Sequence, residues 1–225
     1  MIPALTADVP PAVVWGWLAQ SLAVPRLQQQ PLPLPLLFLD VETTRDRVVE
    51  LAMVRFAPGY PPWVFHTYVQ PGTVGWQRGA GYWNTHVHGV TSAMVQGRPT
   101  FAQVAPTLLQ ALGGATVVAH NVAFERRFVG QELRRVGADF HAPTLCTLRL
   151  ARDLLPERHE HTLDGLAAAH HVRNPAPHRA LGDTLSCLWV LLGMLEGYRG
   201  KRPLAEVVRG CLRTADNQRL NPWVD

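Results

Sequence analysis

Cysteine is scarce, charge is thin and long apolar runs are missing. The 225 residues include three cysteines, Cys146, Cys187 and Cys211, an odd number without the paired spacing of a zinc site. They read as buried free thiols in a reducing compartment rather than as a disulfide framework. Only 17% of residues are charged, yet no stretch reaches the roughly 18 uninterrupted apolar residues of a membrane span. The apolar blocks are short and broken by Pro, Gly or polar residues, so no membrane partner is expected. No cationic segment precedes the first apolar residues, so no secretory leader is expected and cytoplasm is the default location. Internal repeats are also missing. The formal net charge of +4 is compatible with a polyanionic partner and does not by itself argue for one.

What is present is enough apolar sequence, 47%, to bury the core of one domain. Residues 1–35 read as an appendage. Pro10 and Pro11 precede an apolar-periodic stretch, Ala12–Ala23, that predicts a short helix, and Pro31–Pro35 alternates Pro and Leu as an extended connector. The main domain is expected over 36–198, with 199–225 as a tail. Leu36–Leu39 reads as a buried strand ending at Asp40, followed by strands over Val48–Phe56 and Val64–Val69. An irregular Gly-rich stretch, Pro71–Thr85, comes next. Phe101–Leu112 has helical spacing, Thr116–Ala119 reads as another strand, and the period is helical over Phe124–Val136, Thr144–Leu155, Leu163–His171 and Ala180–Tyr198. Strands first and helices later, with one strand–helix alternation between, predict an α/β fold: a mixed sheet flanked by helices.

Three places put acidic or histidine side chains at strand ends or helix starts. Asp40 and Glu42 are two apart in an extended segment, so both carboxylates project from one face. Glu125 lies in the first turn of a helix that follows a buried strand. His178 and Asp183 flank a third helix start. Taken one at a time, these are ordinary solvated acids, dipole-favoured residues or caps. In order along one chain they are far more specific.

The series Phe38-Leu39-Asp40-Val41-Glu42-Thr43-Thr44, His120-Asn121-x-x-Phe124-Glu125 and His178-x-Ala180-x-x-Asp183 resembles the DEDDh exonuclease family, which includes the proofreading subunit of bacterial DNA polymerase III. Supporting matches are Val87–Thr91, Cys146–Arg152 and Thr162–Leu166, so the resemblance covers about 36–198. It implies a ribonuclease H-like fold and 3′→5′ exonuclease activity on a nucleic acid with a free 3′ end, DNA before RNA, with a DNA polymerase subunit as a candidate partner. It also implies two divalent cations, Mg²⁺ or Mn²⁺, held by Asp40, Glu42, Glu125 and Asp183. His178 is then the general base, and Thr43, Thr44, His88, His120, Asn121 and Phe124 lie near the terminal nucleotide. The chemistry suits these residue types. Crowded carboxylates raise one another's pKa until a hard cation neutralises them, and a histidine with an ordinary pKa of about 6.5 accepts a proton near neutrality.

Two features depart from the family pattern. Glu125 stands where the family usually has Asp, and Arg45-Asp46-Arg47 leads straight into the second strand where the family usually has Gly and a longer loop. Two alternatives stay open: a catalytically weakened module that binds nucleic acid or a polymerase, which Glu125 keeps in play, and an RNA-trimming exoribonuclease, since the same metal site cuts either nucleic acid. His159–His161 and His170-His171 fit no metal motif and read as surface or helix-end histidines; Arg126-Arg127 and Arg134-Arg135 read as a solvated helix face or as a lining for the strand path of a nucleic acid.

Overall fold

The computed structural model describes residues 23–60, 62–72, 83–174 and 176–214. Its centre is a six-stranded sheet: β1 (Leu36–Thr43), β2 (Val48–Phe56), β3 (Trp63–Tyr68), β4 (Thr116–Ala119), β5 (Thr144–Cys146) and β6 (Leu212–Arg213). The strand order is β3-β2-β1-β4-β5-β6. β1 runs antiparallel to β2 and parallel to β4; β4–β5 is parallel, and β2–β3 and β5–β6 are antiparallel. The helices are α1 (Ala23–Gln28), α2 (Thr85–His88), α3 (Ser92–Val95), α4 (Phe101–Leu112), α5 (Val122–Arg135), α6 (Thr147–Leu154), α7 (Leu163–Ala169), α8 (Ala180–Gly197) and α9 (Leu204–Cys211). This is the mixed sheet flanked by helices that the sequence predicts, with a ribonuclease H-like arrangement.

The sheet is apolar on both faces because helices cover both. Leu36, Phe38, Ala52, Val54 and Phe56 face the layer of α1, α6, α7, α8 and α9. Leu37, Leu39, Val41, Leu51 and Met53 face α4 and α5. This alternation decides where the acids go. Asp40 and Glu42 continue the Leu36–Phe38 face, so they project toward α8, the helix that carries Asp183. Among the described residues, α8 is also the one helix long and apolar enough to cross a membrane, but 72% of it is buried inside the protein. It is the core helix of the sheet's site-bearing face.

Several expectations shift. The helix expected over 12–23 lies, except for Ala23, outside the described residues; α1 follows it and buries Leu27 in the core. Most of the irregular stretch 71–85 is outside them as well. β1 runs on to Thr43, so Asp40 and Glu42 sit within a strand rather than beyond its end. Thr144–Cys146, read as the start of a helix, is instead the buried strand β5. Three residues are too few to show a period of two, and the helical spacing of α6 absorbed them. The sequence reading assigns no element after Tyr198, where α9 and the edge strand β6 are found.

Candidate active site

Asp40 and Glu42 from β1 meet Asp183 from the first turn of α8, and one carboxylate oxygen from each lies within 4.8 Å of the other two. The crowding has an electrostatic cost that the acids themselves record. Burial and the charges of Glu125, Asp183 and Glu42 push Asp40 well above the ordinary carboxylate range. Burial and Asp183 raise Glu42 to about 8. Burial raises Asp183 to about 6, against the opposing pull of a hydrogen bond from Asn174 and of His178.

Glu125 comes from the first turn of α5, directly after β4. It is 3% exposed, and its Oε2 is buried without a hydrogen-bond partner. Burial raises its carboxyl well above the usual range, and the charge of Glu42 adds to the rise. Glu125 is outside the tight triad but within electrostatic reach of Asp40 and Glu42. An orphaned buried oxygen beside three mutually repelling carboxylates is a donor set short of positive charge. All its donors are oxygens, which suits hard divalent cations such as Mg²⁺ or Mn²⁺. The residues therefore fit a divalent metal site, and metal binding there would release protons.

His178 is exposed and holds a left-handed backbone, φ 57°, just before Arg179, the N-cap residue of α8. Non-glycine residues in that region cost of order 1 kcal/mol and cluster at functional sites. The segment before it rests closely on α8. A Cβ at Gly182 would collide with the Ala176 carbonyl oxygen, so only glycine allows this approach. Asn174 fastens the same segment: its Nδ2 donates to Asp183 Oδ1 at 2.6 Å, and its Oδ1 accepts from the Ala176 N–H at 3.0 Å.

The remaining predicted residues divide. Phe124 is 37% exposed, with its ring tilted against Phe128 at 4.7 Å, and Asn121 is exposed in a left-handed conformation at the start of α5. Both lie at the start of α5, the helix whose first turn carries Glu125. His120 rests on the Thr147 hydroxyl at 3.0 Å, and burial lowers its pKa to about 4, so it is neutral. Thr44 is fully buried; its Oγ1 accepts the Arg47 N–H at 2.9 Å and closes the turn after β1. His88 is buried too. Its Nδ1 accepts from Val90 N–H at 3.0 Å, so its Nε2–H donates to the Thr43 carbonyl at 3.1 Å, and both nitrogens are committed to backbone. It reaches the site by holding the end of β1.

Sequence reasoning missed Asn174 and a buried tie beneath the short turn. Glu132 of α5 accepts from Arg47 Nε at 2.7 Å, Arg47 Nη2 at 3.2 Å and Val48 N–H at 3.2 Å. The short turn after β1 is thus fastened to α5 at Glu132, seven residues beyond Glu125 on the same helix. Neither residue stands in a local motif that could have signalled the contact.

Comparison with known proteins agrees with the geometry. The family model RNase_T, an exonuclease family, matches residues 37–191. A DNA polymerase III subunit epsilon-like protein of Rhodobacter capsulatus is 32% identical over 78% of this chain, which spans only 26% of that relative's length. The DNA polymerase III subunit epsilon of Aquifex aeolicus is 31% identical over 70% of this chain and 79% of its own. Among solved structures, Exonuclease X in complex with 5′-overhanging duplex DNA superposes with a TM-score of 0.57 at 25% identity, over 77% of this chain and 99% of that one.

Proposed function

The chain belongs to the RNase_T exonuclease family, and from that premise we propose that it is a metal-dependent 3′→5′ exonuclease releasing 5′-mononucleotides, from DNA in preference to RNA. The observation that carries this reading is the convergence of Asp40, Glu42 and Asp183 within 4.8 Å, beside the orphaned Glu125 oxygen.

Asp40, Glu42 and Asp183 would hold the cations, with Glu125 completing the negative charge directly or through water. Bound divalent ions supply Lewis-acid stabilisation of the phosphate charge in the transition state. His178, exposed beside Asp183, takes the proton of the attacking water. The exposed ring of Phe124 offers a stacking face for the terminal base, and such contacts are typically worth about 1–3 kcal/mol per base. Its neighbour Asn121 adds a polar group at the same rim. DNA is favoured by kinship, since two relatives are named for DNA polymerase III and the Exonuclease X structure holds duplex DNA. The same kinship makes a polymerase subunit a candidate partner. Three buried free thiols suit a reducing, cytoplasmic setting.

Polarity tests the reading. A single strand blocked at its 3′ end is expected to resist digestion, while a 5′ block makes no difference. Matched DNA and RNA oligomers, followed by gel or mass spectrometry, give the substrate preference in the same series. Equal digestion of 3′-blocked and free strands would contradict it.

Glu125 supports one competing reading, a disarmed module that binds without cutting. The extra methylene displaces the carboxylate by about one bond length, and misplacements near 1 Å can cost about 10²-fold. The buried position of Glu125 and its orphaned oxygen favour an active enzyme built around the longer side chain. Glu125→Gln is then expected to lower kcat by about 10²-fold, and Glu125→Asp by much less, because the first removes charge and the second only reach. If wild type and Glu125→Gln are equally inert while Glu125→Asp gains activity at saturating Mn²⁺, the protein is a disarmed module.

A further inference from the structure

Behind the acids lies a second buried charge cluster that uses no metal ligand. Glu50 of β2 is 1% exposed and stands directly across the β1–β2 ladder from Glu42. Two carboxylates facing each other across strands repel, so Glu50 needs compensation from elsewhere. It accepts from His66 Nε2 of β3 at 2.7 Å. It also accepts both arms of a fork from Arg179: Nε to Oε2 at 3.0 Å and Nη2 to Oε1 at 3.1 Å. The same Nη2 donates to the Tyr68 hydroxyl of β3. Burial alone would raise the Glu50 carboxyl, but the hydrogen bonds from His66 and Arg179 outweigh it and hold the group ionised.

Arg179 therefore leaves the backbone immediately after His178 and plunges into the sheet. On its other side, the His178 segment is held by Asn174 and by its close approach to Gly182. His178 is suspended between these two anchors in a left-handed conformation that an unrestrained histidine rarely adopts.

We propose that Arg179 is a positioning residue for the reaction: its fork onto Glu50 and Tyr68 tethers the backbone that presents the His178 imidazole to the attacking water. Its Nε and Nη2 are engaged with β2 and β3, and the role assigned to it is through His178 rather than on the substrate. The inference rests on the exonuclease reading given above.

Arg179→Lys is the informative variant. It keeps a cation beside buried Glu50, which protects the fold, but a single ammonium nitrogen lacks the second prong that grips both Glu50 oxygens in a fixed planar fork. Its kcat on single-stranded DNA is expected to fall at least about tenfold, since displacement near 1 Å is costly in a positioned site, while KM changes less than about twofold. In a His178→Ala background the same substitution should lower kcat by no more than about twofold, because the group it positions is gone. A rise in KM with normal kcat would make Arg179 a strand contact. Effects that multiply in the double variant would make it an independent contributor. Either result overturns the proposal.

Arg179→Ala with added guanidinium, well below denaturing concentration, separates charge from tether. Free guanidinium can refill the space beside Glu50 but cannot reconnect it to the backbone, so kcat should stay low; rescue would overturn the tether. An inactive wild type would count against the exonuclease reading. An active wild type that is crippled by His178→Ala and unaffected by Arg179→Lys would count against this inference alone.

Discussion

Asp40→Ala is expected to lower kcat by at least about 10³-fold, the upper range for losing one preorganised electrostatic contact with a transition state. Asp40 warrants that end of the range because of where it lies. It is the acid on which the charges of Glu125, Asp183, Glu42 and Glu50 all act, so it stands at the centre of the cluster rather than at its rim. Stability should move the other way. Without metal, Asp40 is a half-buried carboxyl facing like charges, and removing it relieves repulsion. The variant should melt no lower than wild type in EDTA. Adding Mn²⁺ should raise the wild-type Tm, because a ligand bound only by the folded state stabilises it by mass action. The Asp40→Ala protein should show little of that rise. A variant that still hydrolyses at the wild-type rate, with contaminating nuclease excluded, or that keeps the full Mn²⁺ shift, would remove Asp40 from the metal site.

His178→Ala is expected to cost about 10²–10⁴-fold in kcat, the usual contribution of a positioned general base, with nucleic-acid binding largely retained. His178 is exposed and packs into no core, so Tm should barely change. Its left-handed backbone calls for a control, because alanine is strained there as well. Asn adopts that conformation readily, so His178→Asn removes the imidazole while respecting the backbone. Both variants should be comparably slow. A fast His178→Asn protein would mean that the loop conformation matters and the imidazole does not.

The parts of this site that were legible in the sequence are those carried by short-range pattern. Asp40 and Glu42 are two residues apart on a strand, and alternation alone puts them on one face. Their meeting with Asp183 follows once α8 covers that face, and this the apolar spacing of 180–198 announces. The supports beneath were hidden because they join distant segments. Arg47 and Glu132 are 85 positions apart, and Glu50 and Arg179 are 129 apart. No period or motif links such pairs; only the β1–β2 register and the packing of α5 and α8 bring them together. Thr44 and His88 show the converse. Their motif positions suggested contact with a nucleotide, but burial turns both side chains to the backbone. In the fold, β5 was missed for a similar reason: its three residues take their strand character from β4 alongside.

Carboxylates that hold cations for stepwise hydrolysis from a 3′ end leave a distinctive product pattern. The measurement is the digestion of a 5′-labelled single strand by the wild-type protein in Mn²⁺, with a parallel reaction in EDTA. The expected result is a ladder shortening one nucleotide at a time, with 5′-mononucleotides as the released product, and no cleavage in EDTA until metal is restored. Cleavage that persists in EDTA, or internal fragments in place of a progressive ladder, would contradict it.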